Sequence, residues 1–205
     1  MPQAPSIKGA VFGGAVADFQ HLLKQRSLAR HQATGWLEPQ DLEILDAPVS
    51  PAEWYDVRIY GRLLQLLRDV EGHGRNEYLC ERGARSAERL LQGGLYQQLE
   101  YLNRTQVGRA TDPKARYEAF GRDLRLLTTI SASILSLSKW ASMPDPDHRD
   151  RYRIEVSEAA VFPDGLVWTS QGFVNRMATE HGEPDLWRGE RARPDLVVYR
   201  MIRAL

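Results

Sequence analysis

The stretch that decides the fold is Glu158-Ala159-Ala160-Val161-Phe162-Pro163-Asp164-Gly165-Leu166, and Gln171-Gly172-Phe173-Val174 follows it closely. It predicts the end of a strand, a tight break at Phe162-Pro163 and then a helix that carries a glycine–phenylalanine pair. Just before it, residues 152–157 alternate apolar with charged or polar side chains, which is typical of a half-buried strand. Residues 196–204 form a second strand-like run. Residues 150–205 therefore predict a strand–helix–strand unit.

The final run, residues 196–204, is apolar on both faces for much of its length. One face carries Val197, Tyr199 and Met201, and the other carries Leu196, Val198 and Ile202. A tail exposed to water would not show this pattern, so we expect the strand to lie centrally in its sheet and to be covered.

The pattern over residues 1–143 is mainly helical. A helical period begins near Ser6, and residues 50–53 combine a capping serine, a proline and a glutamate, as at the start of a helix. Between these two helices, alternation near residues 41–46 predicts a short strand. A long amphipathic helix is expected from Asp112 to about Pro144.

One predicted helix, near residues 76–103, shows a second pattern. Small or moderate side chains recur on it at steps of four, three and four: Gly83, Ala87, Leu90 and Gly94. This stripe would let another backbone approach closely. The same helix carries three arginines, Arg82, Arg85 and Arg89. Glutamates lie beside them, so we interpret the arginines as a solvated face with salt bridges rather than as a phosphate site.

Together these patterns predict an α+β fold, a helical bundle of about four to five helices packed on a small, mostly antiparallel sheet. A chain of 205 residues is long enough to bury one proper core, so we expect a single domain over residues 1–205. Twenty-seven basic and 27 acidic residues give a net charge of zero. This argues against nucleic acid as a partner and is compatible with self-association as a homodimer.

The sequence contains few candidates for catalytic or metal-binding residues. The five histidines show no metal-ligand spacing, and Cys80 is a single cysteine with acidic neighbours, which disfavour its thiolate. Glu155 and Glu158, three apart on a strand, would face opposite sides. We therefore expect no catalytic residue, no metal site and no enzyme. No segment is apolar enough for a signal or a membrane span, so a cytoplasmic, bacterial protein is expected.

The order of these elements resembles a known family. The features are Lys8-Gly9-Ala10-Val11-Phe12 in the first helix, the Gly83-x-x-x-Ala87 helix, a helix ending at Trp140, and the Phe162-Pro163 break before Gly172-Phe173. They resemble a myxobacterial family of unknown function with chains of about this length. Through it, the chain is similar to the superfamily of heme-nitric-oxide-binding, four-vinyl-reductase and Bet3-like domains.

The resemblance implies helices packed on an antiparallel sheet with a pocket between them. Family members bind heme, small aromatics or an acyl chain, or act through protein contacts. The heme branch uses an axial histidine and a Tyr-x-Ser-x-Arg clamp, and neither motif is present here, so no cofactor is expected. Trp140, Trp168 and Phe173 are the candidate lining of a ligand pocket.

Three functions follow from the sequence. The leading hypothesis is a non-catalytic regulatory or scaffold domain that contacts a protein partner, with or without a small apolar ligand. The second is a cytoplasmic sensor domain that binds a buried small molecule or an acyl chain. The third is an enzyme of unknown reaction.

Overall fold

The computed structural model describes residues 4–92 and 112–205. The N-terminal part begins with β1 (Ser6–Lys8), which pairs antiparallel with β2 (Trp54–Asp56). The helices of this part are α1 (Gly9–Lys24), α2 (Pro39–Asp46), α3 (Val57–Val70) and α4 (Asn76–Gln92), with a 3₁₀ turn at Arg30–Gly35. Their buried side chains form the centre of the core, including Phe12, Phe19, Tyr60, Leu63 and Leu67.

The second part contains a four-stranded sheet. Its elements are α5 (Pro113–Ile134), β3 (Lys139–Pro144), β4 (Tyr152–Ser157), α6 (Asp164–Glu180), β5 (Trp187–Arg193) and β6 (Leu196–Met201). The strand order is β3-β4-β6-β5, and all three pairings are antiparallel. The predicted α+β class and the antiparallel sheet are confirmed, and β6 is an inner strand as expected.

Helices α4 and α6 cross with their backbones in contact. A β-carbon on Gly83 would lie 1.9 Å from the carbonyl oxygen of Thr169, and one on Gly172 would lie 1.8 Å from that of Cys80. Only glycine permits such an approach at these two points. The predicted close contact at Gly83 is confirmed, and Gly172 is its counterpart on α6; Gly94 lies outside the described residues.

Residues 41–46, predicted as a strand, belong instead to helix α2. Pro39 occupies its first turn, and the Asp41 carboxylate accepts a hydrogen bond from the backbone N–H of Glu38 at 2.9 Å, which caps the helix. Asp41, Leu42 and Leu45 are its buried residues. Burial thus follows a helical spacing, and the alternation seen in the sequence was misleading.

Helix boundaries differ from the sequence prediction at three places. The first helix begins at Gly9, because Ser6–Lys8 forms β1. Helix α3 begins at Val57 rather than near Ser50, and the Asp56 carboxylate caps it by accepting from the N–H of Arg58 at 2.8 Å.

The long helix is also shorter than predicted. It ends at Ile134, and Lys139–Pro144 forms β3. Here the backbone N–H of Ser136 donates to the carbonyl oxygen of Ser6 at 3.0 Å, and Leu135 bridges to Ile7. The N-terminal strand therefore competes for the backbone that would have continued the helix.

Across residues 4–92 and 112–205, no helix combines the length and the apolar character that crossing a bilayer requires.

Candidate functional site

The three residues predicted to line a pocket do not share one ring cluster. Trp140 lies on β3, and its ring is 6.1 Å from those of Tyr199 and Phe162. Trp168 and Phe173 are both half-buried on α6. They are five residues apart, which separates them by roughly 140° around the helix axis. The pocket formed by these residues stays a prediction.

A small cavity lies elsewhere, between α5, α6 and the start of β5. Apolar side chains make up most of its wall, and three polar groups open onto it: the Asp123 carboxyl, the His181 imidazole and the Trp187 indole. The cavity offers about 10 Å³ to the centre of a water molecule. One water needs about that much space, so the cavity fits a water rather than a cofactor.

The polar groups at this cavity are incompletely paired. Asp123 Oδ2 and Trp187 Nε1 are buried and have no hydrogen-bond partner among the described residues. His181 Nε2 is 3.6 Å from Asp123 Oδ2, too long for a good hydrogen bond. Burial raises the pKa of Asp123 to about 6, and burial lowers the pKa of His181. A single water bridging these groups would satisfy them.

The burial of Asp123 could have been predicted from its position in the sequence. Asp123 lies three residues after Phe120 and four before Leu127, both buried residues of the apolar stripe of α5. A carboxylate inside such a stripe faces the core, and its burial was readable from the spacing.

Arg82 corrects another prediction. It was assigned to a solvated face, but its side chain is only 2% exposed. Its Nε donates to Asp18 Oδ2 at 2.9 Å and its Nη1 to the Tyr60 hydroxyl at 3.4 Å. Arg85 and Arg89, by contrast, are exposed as predicted. Arg82 therefore lies in the interface between α4 and the N-terminal helices.

Cys80 is unsuited to nucleophilic chemistry in this structure. It is a free, half-buried thiol next to the α4–α6 crossing, and the Gln171 side-chain amide donates to its sulfur at 3.8 Å. Burial, reinforced by the negative charge of Glu77, raises the pKa of the thiol to about 11. The thiolate is therefore disfavoured near neutral pH.

All five histidines of the sequence fall within the described residues. His21, His31, His73 and His148 are exposed. His181 is the partly buried one, and its ring packs edge-on against Phe120 with centroids 5.6 Å apart. Over residues 4–92 and 112–205, no three His, Cys, Asp or Glu side chains are grouped so that they could hold a metal ion.

The fold is similar to that of H-NOX proteins of known structure. The Fe(II) unliganded H-NOX protein from K. algicida gives a TM-score of 0.58 at 11% identity, with 95% of each chain covered. The H-NOX protein from S. oneidensis in the Fe(II)NO ligation state gives 0.51 at 12% identity, with 96% of this chain and 99% of that chain covered. No family model and no curated protein matches the sequence.

At such low identity the likeness concerns the fold alone, and the residues decide whether heme fits. Iron in heme takes an axial ligand such as histidine. Four histidines point into solvent, and the fifth, His181, faces a cavity with room for about one water. The histidines therefore do not fit an axial role, although the fold is similar to that of the Fe(II) H-NOX structures.

Proposed function

We propose that this chain is a non-catalytic regulatory domain that uses the H-NOX fold to couple binding of a small ligand other than heme to contacts with a protein partner. The proposal joins the two leading hypotheses from the sequence, a regulatory module and a sensor. It includes a cytoplasmic location in a bacterium and self-association as a homodimer. The narrower relationship to the myxobacterial family is part of the same proposal.

One observation carries this proposal, namely the similarity of the fold to H-NOX proteins over about 95% of both chains. The K. algicida H-NOX structure is in an Fe(II) unliganded state and the S. oneidensis H-NOX structure is in an Fe(II)NO ligation state, so the second protein binds NO at iron. A chain that keeps the fold but offers no fitting histidine has kept the scaffold without that iron ligand. A scaffold of this kind suits ligand recognition by other groups.

The enzyme alternative has less support. Asp123 and His181 resemble a proton-transfer pair, but they enclose a cavity about the size of one water. Such a space admits no organic substrate, since ligand pockets usually measure roughly 300–1,000 Å³.

Native mass spectrometry of the protein purified from its own host tests the proposal. We expect a retained small molecule lighter than heme or a bound protein partner, and no Soret band. A stoichiometric heme whose absorption disappears on mutation of one histidine would contradict the proposal. Bare monomers with neither ligand nor partner would contradict it equally.

A further inference from the structure

A buried arginine with spare hydrogen-bond donors is the starting point. Arg82 uses Nε and Nη1 for Asp18 and Tyr60, but its Nη2 is buried without a hydrogen-bond partner among the described residues. Buried polar groups in proteins are nearly always hydrogen-bonded, and those of charged side chains are the costliest to leave unpaired. An unpaired, buried guanidinium N–H therefore indicates a missing acceptor.

A second guanidinium points to the same place. Arg89 follows Arg82 by seven residues, which puts both on one side of α4. A β-carbon on Gly14 of α1 would lie 3.5 Å from Arg89 Nη2 and 3.6 Å from Arg82 Nη2. The two cationic groups thus flank one point above Gly14, where α1 carries no side chain.

The charges around this point do not balance. Asp18 lies one turn beyond Gly14 on α1 and accepts a hydrogen bond from Arg82 Nε at 2.9 Å, while Nη2 makes no hydrogen bond to the described residues. Arg89 Nη2 donates to the Ser86 hydroxyl at 3.0 Å, a neutral acceptor. Among residues 4–92 and 112–205, one carboxylate therefore accompanies two guanidiniums here, and like charges held close together favour an added anion.

We propose that the space above Gly14, between the Arg82 and Arg89 guanidiniums, binds the oxyanion group of a small ligand, either a carboxylate or a phosphoryl group. Two guanidinium N–H groups recognise two oxygens of such a group by charge-assisted hydrogen bonds. Arg89 is exposed and Arg82 is buried, so the ligand would approach from the side of Arg89. The chemistry of the site defines the ligand class of the proposed sensor as an oxyanion. Its biological role rests on the proposed function.

Isothermal titration with inorganic phosphate and with acetate tests the site in the whole chain, with sodium chloride of equal ionic strength as reference. We expect saturable binding of one or both oxyanions, and the stronger binder identifies the ligand class. Arg89→Gln should weaken binding by about tenfold or more, because it removes a charge-assisted hydrogen bond. Arg85→Gln, an exposed arginine on the same helix, should bind as the wild type does.

A tethered carboxylate provides a second test that needs no ligand. Gly14→Asp places an acid between the two guanidiniums, and Gly14→Asn is its neutral match. The new β-carbon itself fits, since the nearest atoms to it lie at ordinary contact distance. We expect the Asp variant to melt above the Asn variant, to lose this advantage in high salt, and to bind no phosphate.

Several results would overturn the site. Three results would each rule out the oxyanion site: equal melting temperatures of the Asp and Asn variants, unchanged phosphate binding in Arg89→Gln, or binding of chloride as strong as that of the oxyanions. The proposed function fails separately. If the protein purified from its host carries neither ligand nor partner but still binds phosphate, the site is supported and the proposed function is contradicted. If the protein retains a ligand that the Gly14→Asp variant also retains, the proposed function is supported and the site is contradicted.

Discussion

Replacing Gly83 with alanine tests the helix crossing that joins the two parts of the fold. The new β-carbon would lie 1.9 Å from the carbonyl oxygen of Thr169. Non-bonded atoms settle near 3.5 Å, so relieving the overlap requires a displacement of roughly 1.5 Å between α4 and α6. The obstacle is backbone, and no side-chain rotation can remove it.

The expected cost follows from two opposing effects. Overpacking a core costs about 1–3 kcal/mol, while alanine in a helix interior gains about 1 kcal/mol over glycine. We expect Gly83→Ala to lose up to about 2 kcal/mol of unfolding free energy, and Gly83→Leu to lose more because of its larger volume. Gly13 on α1 is the matched control, because a β-carbon there would lie 3.4 Å from Val49 Cγ1. Gly13→Ala should therefore be neutral or stabilising.

Urea unfolding followed by circular dichroism measures these differences in unfolding free energy. In thermal unfolding, a change of 1 kcal/mol moves the melting temperature of a chain this size by about 2–4 °C. Arg85→Leu, on the exposed side of the same helix, should stay within about 0.5 kcal/mol of the wild type. Equal stability of Gly83→Ala and Gly13→Ala would refute the close crossing. Equal losses of unfolding free energy for Gly83→Leu and Arg85→Leu would show that α4 turns a different face toward α6 from the one described above.

Three further predictions concern the cofactor, the buried carboxyl and the last strand. The purified protein should show no Soret band after gel filtration, because no histidine fits as an axial ligand; a band that one histidine mutation removes would contradict this. Burial raises the pKa of Asp123 to about 6 from an ordinary 3.8, so its protonated form favours the folded state and stability falls as pH rises between about 4 and 6. The difference in unfolding free energy between Asp123→Asn and the wild type should therefore grow across that window by roughly 3 kcal/mol, at 1.36 kcal/mol per pKa unit; a flat difference would exclude a buried, ionising Asp123. Deleting residues 196–205 should give an insoluble or molten product, because β6 is hydrogen-bonded on both edges; an unchanged unfolding midpoint would show that the segment is a tail.

The strand–helix–strand unit could be predicted because its signals are local. Tyr152, Ile154 and Val156 alternate with polar residues and are all buried. Val197, Tyr199 and Met201 line one buried face of β6, and Val198 is buried on the other. Each pattern depends on near neighbours in sequence, and the packing partners do not change it.

Elements set by long-range contacts could not be predicted. Strand β5 carries one fully buried apolar residue, Trp187, and otherwise exposed or half-exposed side chains, as suits an edge strand. It therefore shows no alternation. The end of α5 depends on a hydrogen bond from Ser136 to Ser6, 130 residues away. The helical period continues past this point in the sequence, and only the partner strand interrupts it.

The candidate oxyanion site shows a different limit. Arg82 and Gly83 are adjacent on α4, so they face different sides of the helix: Gly83 meets α6, and Arg82 reaches Asp18 of α1. Helical spacing shows which residues share a face, but it does not show which faces are covered. A run of charged residues is usually interpreted as a solvent-exposed face of a helix, and this interpretation holds for Arg85 and Arg89. It fails for Arg82 because a second helix covers that side. A charged residue adjacent to a close-packing glycine is therefore a reason to expect a helix covered on two sides, and its unpaired donors are where a ligand should be sought.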